Sequence, residues 1–329
     1  MWLSNSSVGR KFVMALTGAF LVIFVTFHCL MNSIAIVWPA AYNSVCEFLG
    51  ANWYALLASA VLAVFILIHI IYAVMLTLQN RKARGNDRYA ITRKPKTVEW
   101  SSQNMLVLGI VILAFLVVHM IQFWAKMQLA EIAGTEGIIP PAAGTLFLQE
   151  AFSLVWTPIV YIIGFIALWF HMNHGFWSML HTIGWDNNLW LNRLKSIACW
   201  WTSIVVALFI AQAIVFTVRS HSNYYSTNLE LQEQYGEFWK AKGEAIIEEF
   251  QAEVAVALNN VDLNDAFAAQ TAQKKFLEEN GQRFVDQAAA VINGAEKQCP
   301  EIKTQVIGQL GQFKAFLEQN IQKTEQQAK

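Results

Sequence analysis

Charged side chains are scarce in this chain. They make up 14% of its 329 residues, against about a quarter in an average soluble domain, while 56% of the residues are hydrophobic. The scarcity is concentrated in five apolar segments that contain no Asp, Glu, Lys or Arg, and each is long enough to cross a bilayer, which needs about 20 residues of helix. This composition excludes an ordinary water-soluble protein. The absence of carboxylates from the segments excludes an acidic proton relay through the membrane.

Cysteine is also rare. Four cysteines are too few for a disulfide scaffold. Their spacing resembles neither a zinc site nor an iron–sulfur site; they are Cys29, Cys46, Cys199 and Cys299.

The apolar segments predict an all-α integral membrane protein. They cover about residues 12–34, 53–78, 105–124, 152–177 and 197–218. Tryptophans near many of their ends suit an interfacial aromatic belt. The first segment is too long for a signal peptide and lacks a small-residue cleavage site, so we interpret it as a retained span. The predicted architecture is a five-helix transmembrane bundle, residues 1–221, with an extramembrane helical extension, residues 222–329.

The basic residues of the loops predict the orientation. Residues 81–97 carry seven Lys and Arg, and residues 182–196 carry Arg193 and Lys195. Residues 35–52 and 127–151 carry none. Because cytoplasmic loops are enriched in Lys and Arg, we expect a bacterial inner membrane protein with a cytoplasmic N-terminus and a periplasmic extension.

The extension differs from the bundle in charge and pattern. Residues 1–221 hold 13 Lys and Arg against 7 Asp and Glu, whereas residues 222–329 hold 10 against 16. Apolar residues recur in the extension at helical spacing, which predicts two to four amphipathic helices interrupted at Gly294 and Pro300. They serve partner binding or self-packing, or the extension is partly disordered. If Cys46 and Cys299 both lie outside, in an oxidising compartment, they could form a disulfide.

Four of the seven histidines lie inside four different spans: His28, His69, His119 and His171. One intramembrane histidine is more often a hydrogen-bonded structural residue than a ligand, but four on separate helices are a poor match for that interpretation. With the orientation above and a helical rise of 1.5 Å per residue, His28 and His119 lie in the outer half of the membrane. His69 and His171 lie towards the cytoplasm.

Two histidines facing each other in a helix bundle can bind a metal porphyrin from both sides. Two such pairs at two depths predict two haems and an electron path across the bilayer. A zinc site would need further ligands at the same depth. Cytochromes of the bc type place two ligand histidines on each of two helices, unlike this chain.

His174, one turn from His171, has several open interpretations. It could hydrogen-bond a haem propionate, line a cavity, or replace His171 as the ligand. His181 and His221 lie at span ends, where solvation is the better interpretation.

Three stretches of the bundle are similar to one known family. They are Phe170-His171-Met172-Asn173-His174-Gly175-Phe176-Trp177-Ser178, Ser7-Val8-Gly9-Arg10-Lys11 with Thr17-Gly18, and His69-Ile70-Ile71-Tyr72-Ala73. Together they resemble the dihaem cytochrome b membrane anchor of succinate dehydrogenase and fumarate reductase. The resemblance covers about residues 5–220 and says nothing of the extension.

The resemblance implies two b haems with bis-histidine ligation, His28 and His119 on the outer iron and His69 and His171 on the inner. It favours His171 over His174, because other members have asparagine at the second position. It implies two cytoplasmic partners, a flavoprotein subunit with covalent FAD and an iron–sulfur subunit. The expected activity is electron transfer between the succinate/fumarate couple and a membrane quinone, which we expect to be menaquinone. No nucleic-acid partner is expected.

A few charged residues are further candidates. Glu47, in an outer loop, is the one acidic group placed to serve a quinone near the outer haem, and is equally well explained as a solvated residue. Four cations on the cytoplasmic side could pair with inner haem propionates, although most need only be topology signals: Arg10, Lys11, Arg81 and Lys195.

Two other functions remain open on the sequence. The chain could be the cytochrome b subunit of a hydrogenase or a formate dehydrogenase, which would keep the haems and change the partner. It could also be a non-enzymatic membrane receptor or scaffold whose extension is the functional part.

Overall fold

The computed structural model describes residues 6–84, 99–135, 139–185, 187, 189–259 and 266–327. Regular structure in these ranges is helical throughout, without a strand. The helices are α1 Ser7–Val37, α2 Pro39–Ala51, α3 Trp53–Arg84, α4 Trp100–Gln103, α5 Met105–His119, α6 Ala130–Ala133, α7 Gly144–Phe152, α8 Trp156–Thr182, α9 Trp190–His221, α10 Tyr224–Thr227, α11 Leu229–Leu258, α12 Ala266–Gln298 and α13 Lys303–Gln327. A π-helical segment, Met120–Leu129, joins α5 to α6. The all-α prediction is confirmed.

Five helices are long and apolar enough to cross a membrane: α1, α3, α5 with its continuation to Ala133, α8 and α9. The chain is therefore a multi-pass membrane protein. The helices extend beyond the apolar runs because polar residues continue their hydrogen bonding. At the start of α1, the Ser6 hydroxyl oxygen accepts the backbone N–H of Gly9 at 2.9 Å and caps the helix.

The fourth span starts later than the apolar pattern predicts. Phe152 ends α7, and the chain turns through residues 153–155 before α8 begins at Trp156. The predicted start at residue 152 is wrong because the apolar pattern runs on through this turn. Both loops expected on the outer side also contain helix, α2 and α7. Most of the basic loop 81–97 lies outside the described residues.

The chain divides into two compact units, and the first comprises Met1–Lys126 and Phe147–Ser222. In it, α8 packs against α1, α5 and α9, while α1 also packs against α3 and α9. Two polar residues of α9 hold it to α1. Gln212 Nε2 donates to the Cys29 carbonyl and the Ser33 hydroxyl, both at 2.9 Å. Arg219 donates to the carbonyls of Ala35 and Ile36, both at 2.8 Å, and so satisfies the last turn of α1.

The second unit comprises Met127–Leu146 and Asn223–Lys329. Its long helices α11, α12 and α13 pack pairwise around an apolar core that includes Tyr235, Trp239, Phe284 and Leu317. Thr145 Oγ1 and Tyr235 Oη are hydrogen-bonded at 2.7 Å, which joins the first turn of α7 to α11. The sequence did not anticipate that residues 127–146 belong with the extension.

The amphipathic pattern of the extension corresponds to these three helices. Pro300 lies between α12 and α13, as expected, but the predicted break at Gly294 is wrong, since α12 continues to Gln298. Gly294 lies against the Trp239 ring, and a Cβ there would meet the ring carbons Cζ2 and Cζ3 at 2.9 Å. The glycine is a packing requirement and not a helix stop.

All four cysteines are free thiols, so Cys46 and Cys299 are not joined in a disulfide. Burial raises the pKa of each of these two thiols to about 12. Disulfide formation requires the thiolate, which burial disfavours at both positions.

Candidate cofactor site: two histidine pairs

The first unit brings the four intramembrane histidines together in two pairs. The ring centroids of His28 on α1 and His119 at the end of α5 are 5.8 Å apart, with an interplanar angle of 85°. Those of His69 on α3 and His171 on α8 are 6.2 Å apart at 65°. These are the pairs that the depth argument gives. We call them the outer pair (His28 and His119) and the inner pair (His69 and His171).

The separations suit one metal ion between two imidazoles. With metal–nitrogen bonds of about 2 Å on opposite sides, the two ring centres stand about 6 Å apart. Each pair supplies two nitrogen ligands, so the remaining ligands of such a metal must come from elsewhere, as the four nitrogens of a porphyrin do. In the part of the chain that the structure describes, His, Cys, Asp and Glu form no group of three or more that could hold a metal ion.

In the inner pair, a hydroxyl fixes which nitrogen of His69 is free. Thr17 Oγ1 donates to the Val13 carbonyl at 2.9 Å and lies 3.2 Å from His69 Nδ1. Because its proton is already given to Val13, the hydroxyl oxygen accepts the Nδ1–H of His69. The Nε2 lone pair is then left for a ligand bond, as in most histidines that bind metals.

In the outer pair, a chain of side chains does the same for His119. Tyr161 Oη lies 3.2 Å from His119 Nδ1 and donates to Gln122 Oε1 at 2.9 Å. Gln122 Nε2 in turn donates to Thr157 Oγ1 at 3.1 Å. With its own proton directed at Gln122, the Tyr161 oxygen accepts the Nδ1–H of His119, and Nε2 again carries the lone pair.

The other two rings have different surroundings. His171 Nδ1 is buried and has no hydrogen-bond partner among the described residues. His28 lies between aromatic rings, 5.5 Å from Phe24 and 6.3 Å from Phe209 between centroids. Each pair therefore combines one histidine whose tautomer is fixed by a hydroxyl with one whose setting is largely apolar.

Glycines on neighbouring helices face the inner pair. A Cβ at Gly18 of α1 would lie 3.8 Å from His69 Cε1, and one at Gly109 of α5 would lie 3.9 Å from His171 Cε1. Both are ordinary contact distances, so any larger side chain would press on a histidine ring. Gly18 and Gly109, the spacing of each pair, and the buried His171 Nδ1 without a partner among the described residues all fit a flat metal-bearing group held between the histidines.

His174 belongs to a different cluster, at the cytoplasmic end in the predicted orientation. Its Nδ1 lies 3.3 Å from the Glu99 carboxylate, which also accepts from Lys195 Nζ at 2.8 Å. Lys195 Nζ stands 4.4 Å from the centre of the Trp177 ring. Burial acts to raise the pKa of Glu99, but hydrogen bonds and charges from Lys195 and His174 outweigh it and hold that pKa below its ordinary value. The structure thus places His171, and not His174, opposite His69.

Comparison with family models, with curated proteins and with solved structures finds no match to this chain.

The remaining predicted residues lie away from the two pairs. Arg10 is half-buried in the first turn of α1, and Lys11 beside it is exposed. Arg81 is exposed near the end of α3, and Glu47 is exposed on α2.

Sequence reasoning missed the residues behind the ligands: Thr17, Gln122, Thr157, Tyr161 and Glu99. Thr17 was noted only as part of a motif. The signal that could have found Gln122 and Tyr161 is their polarity inside a span, since buried polar groups need partners there. Glu99 lies just ahead of the third span, where a charged residue in the sequence does not by itself indicate a role.

Proposed function

We propose that this chain is the membrane-embedded, haem b-carrying subunit of a quinone-linked respiratory complex of the succinate dehydrogenase and fumarate reductase type. The observation that carries the proposal is the pair of opposed imidazole couples, 5.8 and 6.2 Å between centroids, set in a five-span bundle. In this proposal His28 and His119 hold one haem, and His69 and His171 hold the other. When bound, each haem supplies reversible one-electron transfer.

The protein's own residues hold and insulate these groups. Thr17 and Tyr161, by accepting the Nδ1–H of His69 and His119, leave Nε2 of each ring unprotonated. Phe115 and Phe209 close the apolar side of the outer pair, at 6.0 Å from His119 and 6.3 Å from His28. An apolar, water-poor setting of this kind is one of the means by which a protein tunes a haem's potential.

The loop charges support an orientation, and the resemblance supplies the partners. We propose a bacterial inner membrane, with the inner pair towards the cytoplasm and the second unit in the periplasm. The basic cytoplasmic loops would receive an iron–sulfur subunit and a flavoprotein with FAD. Arg10, Lys11 and Arg81 remain candidates for haem propionates, whereas Lys195 is engaged by Glu99. Glu47 remains a candidate for an outer quinone site.

Haem content tests the proposal directly. Protein produced with an adequate haem supply should show a low-spin b-type spectrum and two haems per chain. The double variant His28→Ala/His119→Ala should keep one haem, and His69→Ala/His171→Ala should keep the other. His221→Ala, an exposed histidine at the end of α9, is the matched control and should keep both. A wild-type chain with no Soret band, or with one haem, contradicts the proposal.

Partner capture decides the kind of complex. Purification of the tagged chain from its native membrane should bring down a flavoprotein and support succinate oxidation by a quinone analogue. Recovery of a nickel or molybdenum protein instead would assign the same haem pairs to a hydrogenase or a formate dehydrogenase.

A further inference from the structure

We infer that Tyr161, oriented by Gln122, is a positioning residue for the outer pair and sets the potential of the haem held there. The inference rests on the proposed function, since it concerns how one ligand of a bound haem is supported. Its basis is the connected chain His119–Tyr161–Gln122–Thr157, which lies wholly within the first unit.

These hydrogen bonds connect two antiparallel helices, α8 and α5 with its π-helical continuation. Thr157 and Tyr161 are four residues apart on α8 and so share a face. His119 and Gln122 are three residues apart where α5 passes into the π-helical segment. His119 contacts Tyr161, and Gln122 contacts Thr157. About one turn further along the same helices, Phe115 packs against Gly164, where an added Cβ would lie 2.5 Å from the Phe115 ring.

The three side chains that support His119 are buried and hydrogen-bonded to one another. Thr157, Tyr161 and Gln122 are 0%, 4% and 8% exposed. Each hydrogen bond directs the next: the Gln122 amide gives its N–H to Thr157, which leaves Oε1 to accept the tyrosine proton. The Tyr161 oxygen is then available only as an acceptor for His119. An unpaired polar group at this depth would be costly, so the arrangement is held as a unit.

The inner pair is supported differently from the outer pair. His69 relies on Thr17, whose proton goes to the α1 backbone, and no further side chain of the described residues extends that contact. A histidine that donates its second N–H is a stronger ligand and stabilises the oxidised metal. Loss of the acceptor should therefore raise the midpoint potential of the haem concerned and leave the other unchanged.

The test is a redox titration of purified wild-type protein and three variants, with haem content and low-temperature spectra recorded for each. Tyr161→Phe should keep two haems per chain, shift the outer midpoint to a more positive potential and alter the spectrum of that haem alone. Thr17→Val should shift the inner midpoint only. Tyr54→Phe, which removes an exposed hydroxyl on α3, is the matched control and should shift neither. The single-haem double variants identify which midpoint is which.

The outcomes separate this inference from the proposed function. Two haems with unchanged midpoints and spectra in Tyr161→Phe overturn the inference and leave the proposed function standing, and so does an equal shift of both midpoints. A wild-type chain without haem overturns the proposed function itself. If Tyr161→Phe fails to accumulate, Gln122→Leu applies the same readout with the tyrosine retained: a positive shift of the outer midpoint supports the inference, and no shift overturns it.

Discussion

The two units of this chain share the helical period but expose different kinds of side chain. In the membrane-spanning unit, large apolar residues point outward, as with Ile23 at 69% and Val107 at 59% exposed, while Thr17, Thr157 and Gln212 are buried. In the three-helix unit, Trp239 and Phe284 are buried at 1% and 0% exposed. Its charged residues lie at the surface, where Arg283 pairs with Glu249 and Glu253.

The difference shows how the surrounding solvent determines which side chains each unit exposes. Lipid offers no hydrogen bonds, so every polar group in a span must find a partner inside the bundle. This requirement gathers Thr, Gln, Tyr and His into connected chains between α5 and α8. In the second unit the charged side chains lie at the surface, and the interior includes an aromatic cluster of Phe250, Phe276, Phe284 and Phe313.

A matched pair of lysine substitutions gives the largest expected contrast. Ile23→Lys, near the middle of α1, should cost about 2.5–3.5 kcal/mol of insertion free energy. Val256→Lys, at 74% exposed on α11, should change the free energy of unfolding by less than about 0.5 kcal/mol. Carbonate extraction of membranes measures insertion of the first variant, and thermal unfolding of the purified chain measures the second. Similar losses in both would mean that α1 does not face lipid at Ile23.

A pair of glycine substitutions tests packing within the second unit. Gly294→Ala would force a Cβ against the Trp239 ring and should cost about 1–3 kcal/mol of unfolding free energy. Gly308→Ala, on the open surface of α13, should instead stabilise its helix by up to about 1 kcal/mol. Hydrogen exchange of α11–α13 in the full chain reports both signs. A neutral Gly294→Ala would show that the Trp239 contact is not tight.

The smallest effect concerns the Glu99 cluster at the end of the spans. Because the folded pKa of Glu99 is lowered, its carboxylate adds stability that is present above the ordinary carboxyl pKa and is lost as the pH falls through the lowered value. Glu99→Gln should therefore melt below wild type at neutral pH, and the gap should close in acid. The effect is modest since the carboxylate is partly exposed.

Glu278→Gln, an exposed carboxylate of α12, is the control from the other unit and should show no such pH-dependent gap. A Glu99→Gln gap that persists unchanged into acid would contradict an ionic role for the cluster.

The sequence was sufficient for the number of candidate spans and for which histidines face each other, because apolar run length and helical rise place a residue along its span. It was not sufficient for Tyr161 or Gln122, whose partners depend on how far each helix is rotated about its axis. A span that is apolar on all sides carries no pattern that sets this rotation, and the π-helical segment after His119 changes the register again. Gly294 was misjudged for a related reason, since only the fold reveals the Trp239 ring beside it.

The hydrogen bond between Thr145 and Tyr235 has a consequence for membrane insertion. The two residues are 90 positions apart, and α8 and α9 lie between them. This contact forms only when Thr145 and Tyr235 lie on the same side of the bilayer. Insertion of only one of the two intervening spans would leave the two residues on opposite sides of the membrane and the second unit without this contact.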